Sequence, residues 1–385
     1  MTRLTETADI LRDLIAFPTV SSDSNLDCIA YLANKLESAG ARVEIMQNDD
    51  GSKANLWATI GPETDGGIVL SGHSDVVPVA DQDWTSDPFE MVERDGALFG
   101  RGSCDMKGFI AAAVSMAPLY AETAKSRPIH FAFTYDEEIG CMGGQALADD
   151  LKTRGIRPAM CIVGEPTEMR IIEGHKGCFE YSTYFQGLEG HGSAPDNGVN
   201  AVEFAVRYVA RMIELQDKLR ARCPADSKFD PPWTTINTGG LHGGVAHNVI
   251  PGKARVDWEM RPVQSSDADF VKNDLSRFCA QTLLPAMQKI HPAASIHTEA
   301  LGEVAGLEPM PKNAIRDLVA ELTGANGTDL VPFGTEAGLF QAIGMDVIVC
   351  GPGSIAQAHK PDEFVAIDQL EHCLNMLERL SAKLV

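Results

Sequence analysis

The sequence has few of the features that mark secreted, membrane-spanning or nucleic-acid-binding proteins. Its nine cysteines are scattered singly, with no C-x-x-C pair, so neither a disulfide framework nor a thiolate zinc site is predicted. Basic residues are scarce, 32 against 54 acidic ones, and the net charge of −22 argues against binding to nucleic acid or an anionic membrane. No apolar run approaches the roughly 18 residues of a spanning helix, and the N-terminal segment lacks the order of a secretory signal. We therefore expect a cytoplasmic protein.

The order of the predicted elements indicates two domains. Over 1–178, helical periodicity alternates with short β-branched runs, which is typical of an α/β sheet covered by helices, and one such helix is predicted over 108–120. Residues 179–301 follow the order β-α-β-β-α-β, the split βαβ or ferredoxin-like pattern. Residues 302–385 return to helix and strand units. We predict an α/β fold, with a discontinuous α/β/α domain around a mixed sheet (1–178 and 302–385) and an inserted α+β domain (179–301).

Imidazole and carboxylate groups follow the ends of the predicted strands. His73 and Asp75 lie in SGHSDVVP, directly after a strand, and Asp105 in GRGSCDMKG precedes a helix. Asp75 is a candidate to hold the second ring nitrogen of His73, as carboxylates do for metal-bound histidines. Taken alone, His73 and Asp75 have a simpler explanation as a loop histidine beside a solvated aspartate. The simpler explanation of Asp105 is an aspartate that caps a helix.

A denser acidic group follows the next strands. Glu137 and Glu138 in DEEIG come directly after a predicted buried strand, where three adjacent carboxylates cost stability unless a cation neutralises them. Glu165 follows the apolar run CIVG, and His359 lies in the late loop CGPGSIAQAHKPDE; a turn glutamate and a surface histidine are the alternatives. Ligands gather at the carboxyl ends of strands in α/β sheets. This set of imidazoles and carboxylates therefore predicts two divalent ions, with zinc first and cobalt as an alternative.

The five motifs SGHSDVVP, GRGSCDMKG, DEEIG, VGEPT and CGPGSIAQAHKPDE resemble, in this order, those of the co-catalytic zinc amidohydrolase and peptidase family. The resemblance extends from Thr19 to about Glu363 and makes the first domain catalytic. It implies that Glu137 is the general base and that Asp75 orients the first histidine. The metal ligands that it implies are His73 and Glu165 for one ion, Glu138 and His359 for the other, and Asp105 as the bridge.

The inserted domain carries two further motifs of this family. The segment GHGSAP is similar to the one whose histidine, His191 here, reaches the active site of the partner subunit and stabilises the oxyanion. The resemblance therefore implies a lid domain that forms a homodimer. Asn248 in NVIP and Arg261 resemble the pair that binds the substrate carboxylate, which suits an amide and a guanidinium fork. A surface charge is the alternative for Arg261.

Two segments near the C-terminus narrow the expected substrate. GSIAQAHKPDE and FGTEA are most similar to family members that hydrolyse N2-acetyl-L-ornithine to L-ornithine and acetate in arginine biosynthesis. Thr335 and Glu336 are the candidate substrate-binding residues here, with Glu336 facing the ornithine ammonium, although a helix cap would explain Glu336 as well. The alternatives are a desuccinylase of succinyl-diaminopimelate or another N-acyl amino acid hydrolase or carboxypeptidase. A binding protein without activity is disfavoured because all five implied ligands and the base are present.

Overall fold

The structure, a computed structural model, describes residues 2–385 in two compact units. The first unit contains the residues up to 174 together with 309–331 and 335–385. The second unit contains 175–308 and 332–334. A separate cluster of buried apolar side chains forms the core of each unit.

The helices and strands are numbered along the chain. The α-helices are α1 Arg3–Ile15, α2 Leu26–Ser38, α3 Lys107–Ser115, α4 Ala117–Thr123, α5 Met142–Arg154, α6 Ala201–Ala221, α7 Ser265–Phe278, α8 Leu284–Gln288, α9 Ala314–Thr323, α10 Ala337–Ala342 and α11 Ile367–Ser381. The strands are β1 Arg42–Gln47, β2 Ala54–Ile60, β3 Ile68–His73, β4 Val92–Arg94, β5 Ala97–Phe99, β6 Ile129–Thr134, β7 Met160–Pro166, β8 Ile172–His175, β9 Cys178–Gln186, β10 Gly190–His191, β11 Thr235–Gly243, β12 Val249–Ile250, β13 Lys253–Arg261, β14 Ser295–Val304, β15 Asp329–Val331, β16 Asp346–Gly351 and β17 Phe364–Ala366.

An eight-stranded mixed sheet organises the first unit. Its strand order is β1-β2-β6-β3-β7-β16-β8-β15, and the four central strands β6, β3, β7 and β16 are parallel. Ile68 of β3 is level with Ile129 of β6 and Met160 of β7. Every residue of β3, β6 and β7 is buried, as expected for strands covered on both faces. Because these strands run in step, the residues that follow them lie at one edge of the sheet.

The helices of this unit follow the apolar periodicity of the sequence with one correction. The segment 108–120, predicted as one helix, is two: α3 ends at Ser115, and α4 begins at Ala117 with Pro118 in its first turn. Proline lacks the N–H that a continuing helix would use, so the hydrogen-bond ladder is interrupted here. Within residues 2–385, no helix is both long enough and apolar enough to cross a bilayer.

The second unit is built on an antiparallel sheet of four strands in the order β11-β13-β9-β14. In chain order this is second, third, first and fourth, the arrangement of a ferredoxin-like split βαβ. Its core joins the inner face of the sheet to α6 and α7, and Tyr181 stacks on Trp258 with ring centroids 4.4 Å apart. The predicted α/β class, with a mixed sheet and an added α+β portion, is confirmed.

Candidate metal centre

His73 ends strand β3 with its side chain fully buried. Its Nδ1 lies 2.9 Å from the backbone carbonyl oxygen of Asp75, so that Nδ1–H donates and Nε2 is left as a ligand. Nε2 lies 3.0 Å from Asp105 Oδ1 and 3.7 Å from Glu165 Oε1. The strand end thus aims one imidazole nitrogen at two carboxylates.

The side chain of Asp75 lies beside His73 and also accepts hydrogen bonds from other groups. Its Oδ1 lies 3.6 Å from His73 Nδ1, beyond hydrogen-bond distance, so the backbone carbonyl of the same residue makes the orienting contact instead. The carboxylate accepts from Ser21 Oγ at 2.7 Å and from the backbone N–H groups of Glu137 and Glu138 at 3.1 and 3.3 Å. Asp75 therefore fixes the turn after β6 that presents both glutamates.

Asp105 lies between the two histidines. Its Oδ1 faces His73 Nε2 at 3.0 Å, and its Oδ2 faces His359 Nε2 at 3.3 Å. His359 Nε2 also lies 3.1 Å from Glu138 Oε2. One carboxylate with a different imidazole at each oxygen has the arrangement expected of a ligand that bridges two ions.

The carboxylates of this cluster repel one another, with Asp105 and Glu165 buried and Glu137 and Glu138 partly buried. Burial raises the pKa of Glu137 to about 8, and the charges of Glu138 and Asp105 add to that rise although His73 opposes it. Burial also raises the pKa of Glu138 and that of Glu165. Hydrogen bonds to Asp105 and Glu138 raise the pKa of His359 to about 10. Ionised carboxylates this close together need compensating positive charge.

The same residues fit divalent ions. Glu165 Oε1 is buried and, among the residues described, has no hydrogen-bond partner, so it is an oxygen free for a metal. Two groups of possible ligand atoms each lie within 4.8 Å of one another: His73, Glu137 and Glu165 in one, and His73, Asp105 and Glu138 in the other. Nitrogen and oxygen donors without thiolate suit zinc, cobalt or manganese.

Two predicted site residues, the catalytic candidate His191 and the substrate-binding candidate Asn248, lie together in the second unit. His191 is exposed on the short strand β10, which pairs with β12, and its Nδ1 lies 2.7 Å from Ser193 Oγ. The carbonyl of Asn248, one residue before β12, accepts from the N–H of Gly192 at 2.7 Å. His191 and Asn248 are thus held by the same two-stranded ladder.

Arg261 lies elsewhere in this unit, at the end of β13. Its Nε and Nη2 donate to Glu259 Oε2 at 3.0 and 2.7 Å, and about a third of its side chain is exposed. A substrate carboxylate would therefore compete with Glu259 for this guanidinium.

Thr335 and Glu336 open helix α10 in the first unit. Thr335 Oγ1 accepts from the N–H of Ala337 at 3.1 Å, so the threonine caps the helix. Glu336 is buried and makes no capping hydrogen bond. Its Oε1 accepts from Ser71 Oγ at 2.6 Å and its Oε2 from Thr134 Oγ1 at 2.8 Å. Both oxygens thus bind hydroxyl groups of neighbouring strands, a contact that sequence reasoning missed.

The chain belongs to the peptidase family M20/M25/M40, whose profile matches residues 69–383. Among curated proteins it is 35% identical over 364 residues to the acetylornithine deacetylase of Shigella sonnei (strain Ss046), covering 93% of this chain and 92% of that one. The family expected from the five motifs is confirmed.

Solved structures share the fold across nearly the whole chain. The aminopeptidase PepT of Bacillus cereus ATCC 10987 has a TM-score of 0.73 at 17% identity, covering 99% of this chain and 98% of that one. The YXEP protein of Bacillus subtilis, described as a dinuclear metal binding peptidase, has a TM-score of 0.65 at 16% identity, covering 99% and 98%.

Proposed function

We propose that the protein is a metal-dependent amidohydrolase that removes the acetyl group of N2-acetyl-L-ornithine, releasing L-ornithine and acetate. The observation that carries the chemistry is Asp105, whose two oxygens face the imidazoles of His73 and His359. The family membership and the deacetylase relative at 35% identity support the amide-hydrolase class and the substrate. Succinyl-diaminopimelate and other N-acyl amino acids are the alternative substrates.

The proposed centre holds two divalent ions, zinc first and cobalt as the alternative. His73 and Glu165 would hold one ion, Glu138 and His359 the other, with Asp105 between them. When bound, the ions polarise the amide carbonyl and lower the pKa of the attacking water. The free Oε1 of Glu165 and the paired histidines support this division of ligands.

Glu137 is the proposed proton carrier of the reaction. Burial raises the pKa of its carboxylate, and the positive charge of bound ions would favour the ionised form, which can take a proton from water and later give it up. In this scheme a carboxylate oxygen of Glu137 accepts the water proton during attack. The same oxygen then delivers that proton to the nitrogen of the leaving amine.

The second unit is proposed to complete the site by acting across a homodimer. His191 would stabilise the oxyanion in the active site of the partner subunit, while Asn248 and Arg261 would bind the substrate carboxylate. The exposure of His191 and its short ladder with the strand beside Asn248 support a side chain presented outward. Val206 and Ile213, one heptad apart on α6, are about half exposed, as expected of a helix face covered by a partner.

Two further properties belong to the same proposal. The nine cysteines are all free in residues 2–385, which favours a reducing compartment such as the cytoplasm. Release of ornithine places the reaction in arginine biosynthesis. Thr335 and Glu336 remain candidate substrate residues, and the KM of the variant Glu336→Met for N2-acetyl-L-ornithine tests Glu336.

The substrate proposal is tested by a panel of four compounds with the zinc-loaded and cobalt-loaded protein. The panel contains N2-acetyl-L-ornithine, N-succinyl-diaminopimelate, N-acetylmethionine and a glutamyl peptide, with the released amine measured. We expect N2-acetyl-L-ornithine to give the highest kcat/KM. A dominant turnover of another compound would move the protein to that substrate within the same reaction class.

The proton carrier is tested by the variant Glu137→Gln, which keeps the size of the side chain. Because the base acts in the transition state, kcat and kcat/KM should fall together by a factor of at least about 10² while both ions stay bound. An active Glu137→Gln enzyme with its full metal content would refute the assignment.

The carboxylate-binding role is tested by Arg261→Ala, with Arg255→Ala as the matched control. Arg255 lies on the same strand β13 and pairs with Asp257 two residues away, as Arg261 pairs with Glu259. Loss of a bidentate contact to the substrate carboxylate should raise KM for Arg261→Ala alone. Equal KM values in both variants and the wild type would exclude Arg261 from substrate binding.

A further inference from the structure

We propose that the buried pair Arg101 and Glu363, together with the partly buried Gln82, forms a clamp that sets the position of Asp105 relative to His359. These three are positioning residues, and the inference rests on the proposed two-ion centre. Sequence reasoning assigned them no role, although Arg101 and Glu363 lie inside two of the motifs that it used. The clamp links segments far apart in the chain, since Arg101 and Glu363 are 262 residues apart.

At one end, the clamp holds the loop that carries Asp105. Glu363 Oε1 accepts from the backbone N–H groups of Cys104 at 2.9 Å and Asp105 at 3.0 Å. The carbonyl of Glu363 accepts from the N–H of Gly100 at 2.9 Å. A carboxylate that accepts two adjacent backbone N–H groups makes charge-assisted bonds in fixed directions. Glu363 therefore fixes the loop both before Arg101, at Gly100, and after it, at Cys104 and Asp105.

At the other end, the clamp holds the backbone of His359. Arg101 Nη1 donates to Glu363 Oε2 at 2.6 Å, and Arg101 Nη2 donates to Gln82 Oε1 at 2.5 Å. Gln82 Nε2 in turn donates to the carbonyl oxygen of His359 at 2.9 Å. The guanidinium lies over the ring of Trp84, 5.1 Å from its centroid. One continuous chain of hydrogen bonds thus runs from the N–H of Asp105 to the carbonyl of His359.

The backbone of His359 needs this support. Its φ is 61°, in the left-handed region where a Cβ crowds the backbone and most residues are disfavoured. Such a conformation persists where the surroundings determine it. Gln82 holds the carbonyl of His359, and Arg101 Nη1 lies 3.3 Å from the carbonyl of Lys360. The conformation brings His359 Nε2 to 3.3 Å from Asp105 Oδ2.

Stability alone does not account for a charged pair in this place. The side chains of Arg101 and Glu363 are each 1% exposed, so both charges lose their hydration. Well-packed apolar residues of similar size are often as stabilising as such a pair. What apolar residues could not supply is the set of directed bonds to the loops of Asp105 and His359. The clamp therefore acts on the metal ligands rather than on the fold.

The test measures zinc affinity in the full chain by calorimetric titration of protein stripped of metal. Gln82→Met keeps the volume but removes the bond to the carbonyl of His359, and Glu363→Gln removes the charge beneath Asp105. Asp274→Asn is the control, because Asp274 is a buried carboxylate that accepts two bonds from Arg211 in the second unit.

We expect Gln82→Met to weaken one of the two zinc sites by about tenfold or more, as the loss of contacts behind metal ligands commonly does. Glu363→Gln should weaken both sites, since Asp105 faces both histidines. The kcat for N2-acetyl-L-ornithine should fall in both variants with KM unchanged, and Asp274→Asn should match the wild type in affinity and kcat. If Glu363→Gln fails to fold, Gln82→Met still decides the matter.

Wild-type zinc affinities and kcat in Gln82→Met would overturn the clamp while leaving the proposed function intact. A wild-type chain that binds no divalent ion would overturn the proposed function, and the clamp with it. Equal loss of affinity in Asp274→Asn would show that any buried charge matters, and would also refute the clamp.

Discussion

The buried carboxylate of Glu336 allows its two interpretations to be separated by experiment. The sequence offers it as a partner for a substrate ammonium, whereas the structure gives both of its oxygens to the hydroxyls of Ser71 and Thr134. Ser71 lies on β3 two residues before His73, and Thr134 ends β6 three residues before Glu137. We expect Glu336 to join these strands beneath the metal centre rather than to contact substrate.

The perturbation is Thr134→Val, which keeps the shape of the side chain and removes one donor. Glu336 is 1% exposed, so water cannot replace the lost hydrogen bond. A buried acceptor left without its donor costs about 1–3 kcal/mol of unfolding free energy. In the double variant Thr134→Val/Glu336→Met both partners are apolar. Its loss of unfolding free energy should therefore be about 0.5–3 kcal/mol smaller than the sum of the losses in the two single variants.

The assay is urea unfolding followed by circular dichroism, with KM measured on the same preparations. Thr134→Ser is the control, because it keeps the hydroxyl and should retain most of the stability. We expect Glu336→Met to leave KM for N2-acetyl-L-ornithine unchanged. Additive losses in the double variant, or a raised KM with wild-type stability in Glu336→Met, would refute the structural role and restore Glu336 as a substrate residue.

Two further predictions concern the fold of the first unit. A Cβ on Gly164 would lie 1.9 Å from Cγ of Phe109, so Gly164→Ala should lower the unfolding free energy by about 1–3 kcal/mol or more. Gly302→Ala is the control, because no atom lies within 4 Å of its Cβ, and it should unfold like the wild type in urea. Burial lowers the pKa of His130 from 6.5 to about 4. The contribution of its neutral form is complete above pH 6.5, and about 3 kcal/mol is lost as the pH falls from 6.5 to 4, where only the unfolded chain takes up the proton. His130→Phe, which keeps a ring against Trp57, should flatten that part of the pH dependence of the melting temperature, and an unchanged profile would contradict the assignment.

The sequence predicts well those elements whose burial follows from the local pattern of apolar residues. Strands β3, β6 and β7 are continuous apolar runs that end in polar motifs, and their positions follow from the residues alone. The histidines and carboxylates could be assigned to one edge of a sheet because parallel strands end together.

What the sequence does not reveal depends on contacts between distant segments. The pairing of β17 with β5, which joins 364–366 to 97–99, has no local signal because both strands are only three residues long. The role of Glu363 likewise depends on the approach of Arg101 across the fold. The orienting contact to His73 comes from a backbone carbonyl, which no residue type encodes.

The central position of β16 bears on how the enzyme is made in the cell. This late strand pairs with β7 on one side and with β8 on the other, so a growing chain must leave a place for it in the sheet. His359 and Glu363 emerge from the ribosome after it. Until these last segments arrive, a chain that already carries His73, Glu137 and Glu165 lacks both the imidazole of His359 beside Asp105 and the Glu363 carboxylate that accepts from the N–H of Asp105.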